Sequence, residues 1–253
     1  MKCLLLNVFL SIFLFASVSH CANLYVAIDM PSSLGREFAN VRKYLVHGQR
    51  SKQIFGISYH ITNIIRLEND RRRKKDGTKA VFLENDYSIN QQIDPHLRLV
   101  GIGGTSSKDH IKTIKEALTE AVNKYAKSIR RTTFRFKMLS RVHFFGNKKN
   151  EVDLVEKVYL GTSGHNISLL IKMIKDALQK NKITFAKGGF NSHIVLEQIE
   201  SKDPMIIALI KKDQAILDHL KSVEPPKGTK DGFDVKAEIN LYDGPRKLET
   251  YSL

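Results

Sequence analysis

Cysteine is nearly absent. Cys3 and Cys21 are the two cysteines of this 253-residue chain, and both fall in or beside its N-terminal leader. The mature chain thus carries at most one thiol, closes no internal disulfide and builds no cysteine zinc site. Its stability must come from an ordinary packed core, which this length permits. Beyond the leader, no run is long and apolar enough to cross a bilayer. No Gly-rich phosphate loop of the Walker or dinucleotide type is present, and the doublets Gly103–Gly104 and Gly188–Gly189 fit neither pattern. A composition of 42% hydrophobic and 26% charged residues excludes a disordered tail. The length suits one large domain or two small lobes.

The first 21 residues read as a signal peptide. Lys2 gives a positive start, residues 4–16 are apolar apart from Asn7 and Ser11, and small residues follow at Ala16, Ser17 and Ser19. Cleavage is expected after Ser19 or Cys21. An uncleaved anchor is the alternative, but the apolar run falls short of the ~20 residues a span needs. A lipid-modified Cys21 is disfavoured by His20, which stands where a small residue is required. The expected location is therefore secreted or in a secretory lumen, or the periplasm in a bacterium.

Acidic residues are the scarcer charge, 26 against 41 Lys and Arg, for a net charge of +15. Loss of Lys2 with the leader leaves 15 − 1, or +14. Such a surface attracts polyanions: RNA, DNA, heparin-like glycans or anionic lipid.

Along the chain, residues 23–30 predict a strand ended by Pro31, and a helix runs to about Val46 with Leu34, Phe38, Val41 and Leu45 at helical spacing. Residues 55–67 are rich in β-branched and aromatic side chains and predict a strand. Residues 68–96 are polar and irregular, and carry the basic run Arg71 to Lys75. It reads as a solvated loop, with a phosphate-contacting flap or a protease processing site as alternatives. Strands are expected at 97–102, 132–139, 141–145, 156–161, 193–198 and 233–241, and helices at 108–128, 166–179 and 204–220. Helices and strands in irregular order, with neighbouring strands antiparallel, make an α+β fold.

Two of the nine histidines sit in β-like runs followed by a β-branched pair: His60-Ile61-Thr62 and His193-Ile194-Val195. On a strand, residues two apart share a face. His60 and Thr62 would then act on one phosphate, the imidazole moving a proton and the hydroxyl donating to an oxygen. His143 lacks a following hydroxyl and reads as structural. His47, His96, His110, His165 and His219 fall in helix or loop contexts without a partner pattern. Lys187, Tyr59 and Phe190 flank the two motifs. Lys187 is a candidate phosphate contact, and the aromatics are candidate stacking surfaces for a base. Surface lysine and core aromatic are the plainer roles for all three.

These pieces, in their order, resemble the two-histidine phosphoesterase superfamily. NLYVAIDMP is similar to its opening strand, YHITNI to its first His-x-Thr strand, FAKGGFNSHIVLEQI to its second motif and VKAEINLYDG to its closing strand. The resemblance spans nearly all of residues 22–253. It implies a bilobal α+β fold, two mainly antiparallel sheets flanking a central cleft with helices outside. It also implies metal-independent chemistry, with no cofactor, on RNA ends or oligonucleotides carrying a 2′,3′-cyclic phosphate or 2′-5′ linkage, by a monomer. His60 and His193 would be its acid and base, with Thr62 holding the phosphate. Val195 departs from the family's Thr or Ser and removes one donor, leaving open a weakened member that binds RNA or another polyanion without turnover.

Overall fold

Two periodicities build the molecule. A computed structural model describes residues 24–76, 87–91, 95–104, 107–128, 133–146, 148–160, 167–190 and 192–253. The leader lies outside these residues, as does His165. The first half contains β1 (Leu24–Asp29), α1 (Gly35–His47), β2 (Gly48–Gln49), β3 (Ile54–Phe55), α2 (Ile57–Asp76), β4 (Tyr87–Gln91), β5 (His96–Ile102) and α3 (Lys108–Ala126). The second contains β6 (Thr133–Phe145), β7 (Glu151–Leu160), α4 (Ile167–Lys180), β8 (His193–Ser201), α5 (Pro204–Ile210), α6 (Gln214–Ser222), β9 (Phe233–Lys236), β10 (Glu238–Asp243) and β11 (Arg246–Ser252).

The fold is α+β, as expected. Eight strands run in the order β11-β10-β1-β5-β8-β7-β6-β9, with β4 beside the C-terminal part of β8. Their pairings are antiparallel. The two sheets expected of a bilobal molecule are the two halves of this one, β11-β10-β1-β5 and β8-β7-β6-β9. They meet at a seam between β5 and β8, paired at Leu97 and Ile194. Strand alternation gives the sheet a helix face and an open face. Leu24, Val26, Ile28, Leu97 and Ile194 point to the helix face and join the main core, while Tyr25, Ala27 and Tyr242 form a separate cluster on the open face. Helices α3 and α4 pack together and against β11 and β5, and α1, α5 and α6 lie over β8, β7 and β6.

One segment corrects the sequence reading. Residues 57–76 form helix α2, not a strand, and the helix takes in the basic run. Ile57, Ile61 and Ile65 recur every four residues and are buried. That spacing is helical, and packing of the stripe against α1, α5 and α6 overrides the β propensity of its branched side chains. Smaller differences follow the same local logic. Residues 133–145 are one strand with an irregularity between Met138 and Val142, and it pairs with β7. The helix expected at 204–220 is two, each capped by an aspartate side chain, Asp203 and Asp213.

Candidate active site

The seam brings together two short segments of the same pattern. On β5 they are His96-Leu97-Arg98-Leu99, and on β8 His193-Ile194-Val195-Leu196. In each, the second residue is fully buried in the helix-face core, so the first and third project from the open face. In each, the fourth is the extra residue of a bulge: Leu99 is skipped between Ala27↔Arg98 and Val26↔Val100, and Leu196 between Val155↔Val195 and Leu154↔Glu197. Because Leu97 pairs with Ile194, the antiparallel register sets His96 across from Val195 and Arg98 across from His193. The two histidines are then diagonal neighbours, a relation that spans roughly 7–8 Å between strands. One phosphate fits between such imidazoles.

All four side chains line a cavity of about 630 Å³. Phe145, Lys148, Asp153, Lys175, Phe190 and Gln198 contribute to its walls. Arg98, Lys148 and Lys175 outnumber the two carboxylates of the lining, Asp153 and Glu151, the second of which is ion-paired with Lys148, and the two phenylalanines offer apolar faces.

Each histidine is seated by aromatics. The His96 ring lies near-parallel to Tyr25 at 5.1 Å and to Tyr242 at 5.6 Å. The Tyr242 hydroxyl donates to Asp29 Oδ1 at 2.6 Å, and Lys247 Nζ to Asp29 Oδ2 at 2.5 Å. Asp29 stands across from His96 in the β1–β5 register. Arg98 lies over the Tyr25 ring at 4.1 Å, a cation–π contact. Burial pushes the Tyr25 phenol up, against the opposing pull of Arg98. His193 packs on Phe145 with ring centres 4.2 Å apart.

The helix face supports the seam from behind. Arg42 of α1 donates through Nε to the Leu196 carbonyl at 3.0 Å, at the β8 bulge, and faces Glu197 at 3.9 Å. Burial pushes the Glu197 carboxyl up to about 7 against the pull of Arg42. Glu156 of β7 pairs with Ile194 and is 1% exposed. Neither of its carboxyl oxygens has a hydrogen-bond partner among the described residues. Burial pushes its pKa up to about 8.

The structure separates the two histidines singled out in the sequence. His193 lies on the cavity floor; His60 lies on α2. Its ring contacts Tyr59 edge-on and stands 6.5 Å from His219, whose Nε2 bonds the Leu45 carbonyl in the helical layer. Burial lowers the His219 pKa. On a helix, residues two apart point in nearly opposite directions. Thr62 therefore does not accompany His60, and its hydroxyl donates to the Ser58 carbonyl of its own helix. Tyr59 is half exposed and stacks on Phe55, away from the cavity. Of the remaining candidates Phe190 lines the cavity, whereas Lys187 is exposed outside its lining. His96, set aside in the sequence as a loop histidine, opens β5 and stands with His193.

The signal that marks His96 is the repeat itself. His-apolar-x-Leu occurs at 96–99 and 193–196, each opening a strand. A search for a hydroxyl after the histidine passes over it, because Arg98 occupies the first such position and Val195 the second.

No protein-family model matches the sequence, and no curated protein matches it. Among solved structures, a phosphoesterase is 15% identical, with 92% of this chain and 99% of that one covered and a TM-score of 0.43. Escherichia coli LigT complexed with 3′-AMP is 16% identical, covering 92% and 99%, at a TM-score of 0.41. Kluyveromyces marxianus Usb1 is 10% identical, covering 93% and 99%, at a TM-score of 0.43.

Proposed function

We propose that the chain is a phosphodiesterase acting on RNA ends or oligonucleotides, with His96 and His193 as its acid–base pair. The observation that carries this is their diagonal placement across the β5–β8 seam on the floor of one cationic cavity. Imidazoles with an ordinary pKa near ~6.5 supply one neutral and one charged partner near neutrality. One imidazole takes the proton of the water or hydroxyl that attacks phosphorus, and the other protonates the departing ribose oxygen. Arg98, at the first hydroxyl position of the motif pair, supplies a charge-assisted donor to a phosphate oxygen. Lys148 and Lys175 add attraction for the flanking phosphates. The leader supports work in a secretory compartment, and the basic surface supports a polyanionic substrate.

A second reading is binding without turnover. It is favoured by one observation: Arg98 and Val195 leave both positions without a hydroxyl.

The deciding experiment incubates the mature protein with short RNAs ending in a 2′,3′-cyclic phosphate, and separately with 2′-5′ oligoadenylate, and identifies the products. Hydrolysis is expected. His96→Ala and His193→Ala should each lower the rate on the order of 10²–10⁴-fold, the contribution of a positioned acid or base. His60→Ala should leave it unchanged. Loss of activity in His60→Ala but not His96→Ala would overturn the assignment, and RNA binding with no product would leave the second reading.

A further inference from the structure

We propose that Asp153, held by Gln198, reads the nucleobase beside the scissile phosphate and selects guanine. The inference rests on the phosphodiesterase reading above and concerns the other end of the same cavity.

Gln198 lies three residues beyond Val195 on β8, roughly 10 Å along the strand. Asp153 faces it from β7 in direct register. Both line the cavity that contains His96 and His193. A phosphate held between the histidines therefore leaves its own nucleoside about the right reach to present a base edge at this pair.

A carboxylate repels phosphate, so the group that docks against Asp153 must be a donor. The Gln198 Nε2 donates to Asp153 Oδ1 at 3.0 Å. An ionised carboxylate only accepts, so this bond fixes which end of the Gln198 amide faces it and turns Oε1 away. The lone pairs left on Asp153 are acceptors. Burial pushes the Asp153 carboxyl up, with Glu151 adding to the rise, while the Gln198 hydrogen bond, Lys148 and Arg98 pull the other way.

The four bases differ in what they show such an acceptor edge. Guanine offers a ring N–H beside an amino group, two adjacent donors that one carboxylate takes together. Adenine and cytosine place a single amino donor beside an acceptor, and uracil places one N–H between two acceptors. Each of the last three leaves an acceptor against Asp153 or a donor bond unmade, which is costly once water is displaced. The walls at Phe145 and Phe190 add stacking that every base shares. Affinity thus comes from the aromatics and cations, and choice from Asp153.

The test compares kcat/KM of the mature protein for guanosine, adenosine, cytidine and uridine 2′,3′-cyclic phosphates. It also measures calorimetric binding of the four nucleoside 3′-monophosphates. Guanosine is expected to lead by a factor on the order of ten or more, as for other bidentate base contacts. Asp153→Asn should collapse that ratio while the melting temperature shows the variant folded. A residue that only braced β7 against β8 would slow all four substrates together and leave the ratio intact. Equal turnover of the four would overturn this inference and leave the phosphodiesterase reading standing. Neither turnover nor binding of any of them would overturn both.

Discussion

Val195 stands across the seam from His96 and lines the cavity, so a side chain there meets whatever phosphate the histidines hold. Valine and threonine share a shape, and the exchange of a methyl for a hydroxyl is harmful only where the new group is buried without a partner. Here the partner is an anion on which charge builds during reaction. Val195→Thr should therefore raise kcat on a cyclic-phosphate RNA by about tenfold or more, within the range one oxyanion donor supplies. Steady-state kinetics with a parallel thermal melt checks it. A lower melting temperature with no gain in rate would mean that no phosphate reaches this position. Arg98 differs from the hydroxyl it replaces in reach and in charge. Its guanidinium is packed over the Tyr25 ring.

At the scale of elements, the site depends on what lies behind the strands. Glu156 sits on the helix face beside Ile194, with its carboxyl shifted to about 8 from an ordinary value of 4.5. The folded state holds that proton more tightly than the unfolded chain does. Its stability is thus full below the unfolded value and falls as pH rises toward 8, by ~3 kcal/mol at pH 7. Glu156→Gln keeps the shape and stays neutral. Melts followed by circular dichroism from pH 5 to 8 should show the wild type losing stability more steeply than the variant, in which Glu197, raised to about 7, still titrates. Equal slopes for the two would place the titration elsewhere.

The same elements show what was legible in the sequence. β1, α1, α3, α4 and β8 follow from period and punctuation alone, because their apolar positions, strand-like or helical, are unambiguous. Phe233, Val235, Ala237, Ile239 and Leu241 are all buried, but the single alternating strand expected there is two, β9 and β10, toward opposite ends of the sheet order, and Asn240 and Tyr242 of the other face are buried as well. α2 was misjudged because residue type and spacing disagree there. Isoleucine, tyrosine and phenylalanine favour strands, but Ile57, Ile61 and Ile65 make a helical stripe that only tertiary packing selects. A strand there would set His60 and Thr62 on one face, whereas the helix turns them apart. His96 was missed for a different reason. Pro95 and the polar stretch before it read as loop, and the residue that identifies His96 lies ninety-odd positions on, in its counterpart on β8. Pairing of β5 with β8 is a property of topology, not of either segment.

The whole molecule is strongly cationic, at +15, and its cavity holds part of that charge at Arg98, Lys148 and Lys175. If all three neutralise phosphates, the affinity for a single strand should fall with a log–log salt slope of about −2. Raising salt fourfold should then lower kcat/KM for a short oligonucleotide by about tenfold or more. A cyclic mononucleotide, with one phosphate to neutralise, should lose far less. Equal losses for the two would mean that the cavity cations do not follow the strand.

The repeat at the seam has one more consequence. A phosphate between two imidazoles set diagonally on antiparallel strands sees nearly the same surroundings after a half-turn. Such a pair alone accepts a nucleic-acid chain and its reverse with equal ease. Within the repeat, what distinguishes the two senses is the mismatch at the third position of each segment, a guanidinium on one strand and an isopropyl group on the other. On the phosphodiesterase reading, the 5′-to-3′ polarity of a bound chain, and hence which histidine meets the leaving oxygen, would be set by Arg98 against Val195 and by the Asp153–Gln198 pair.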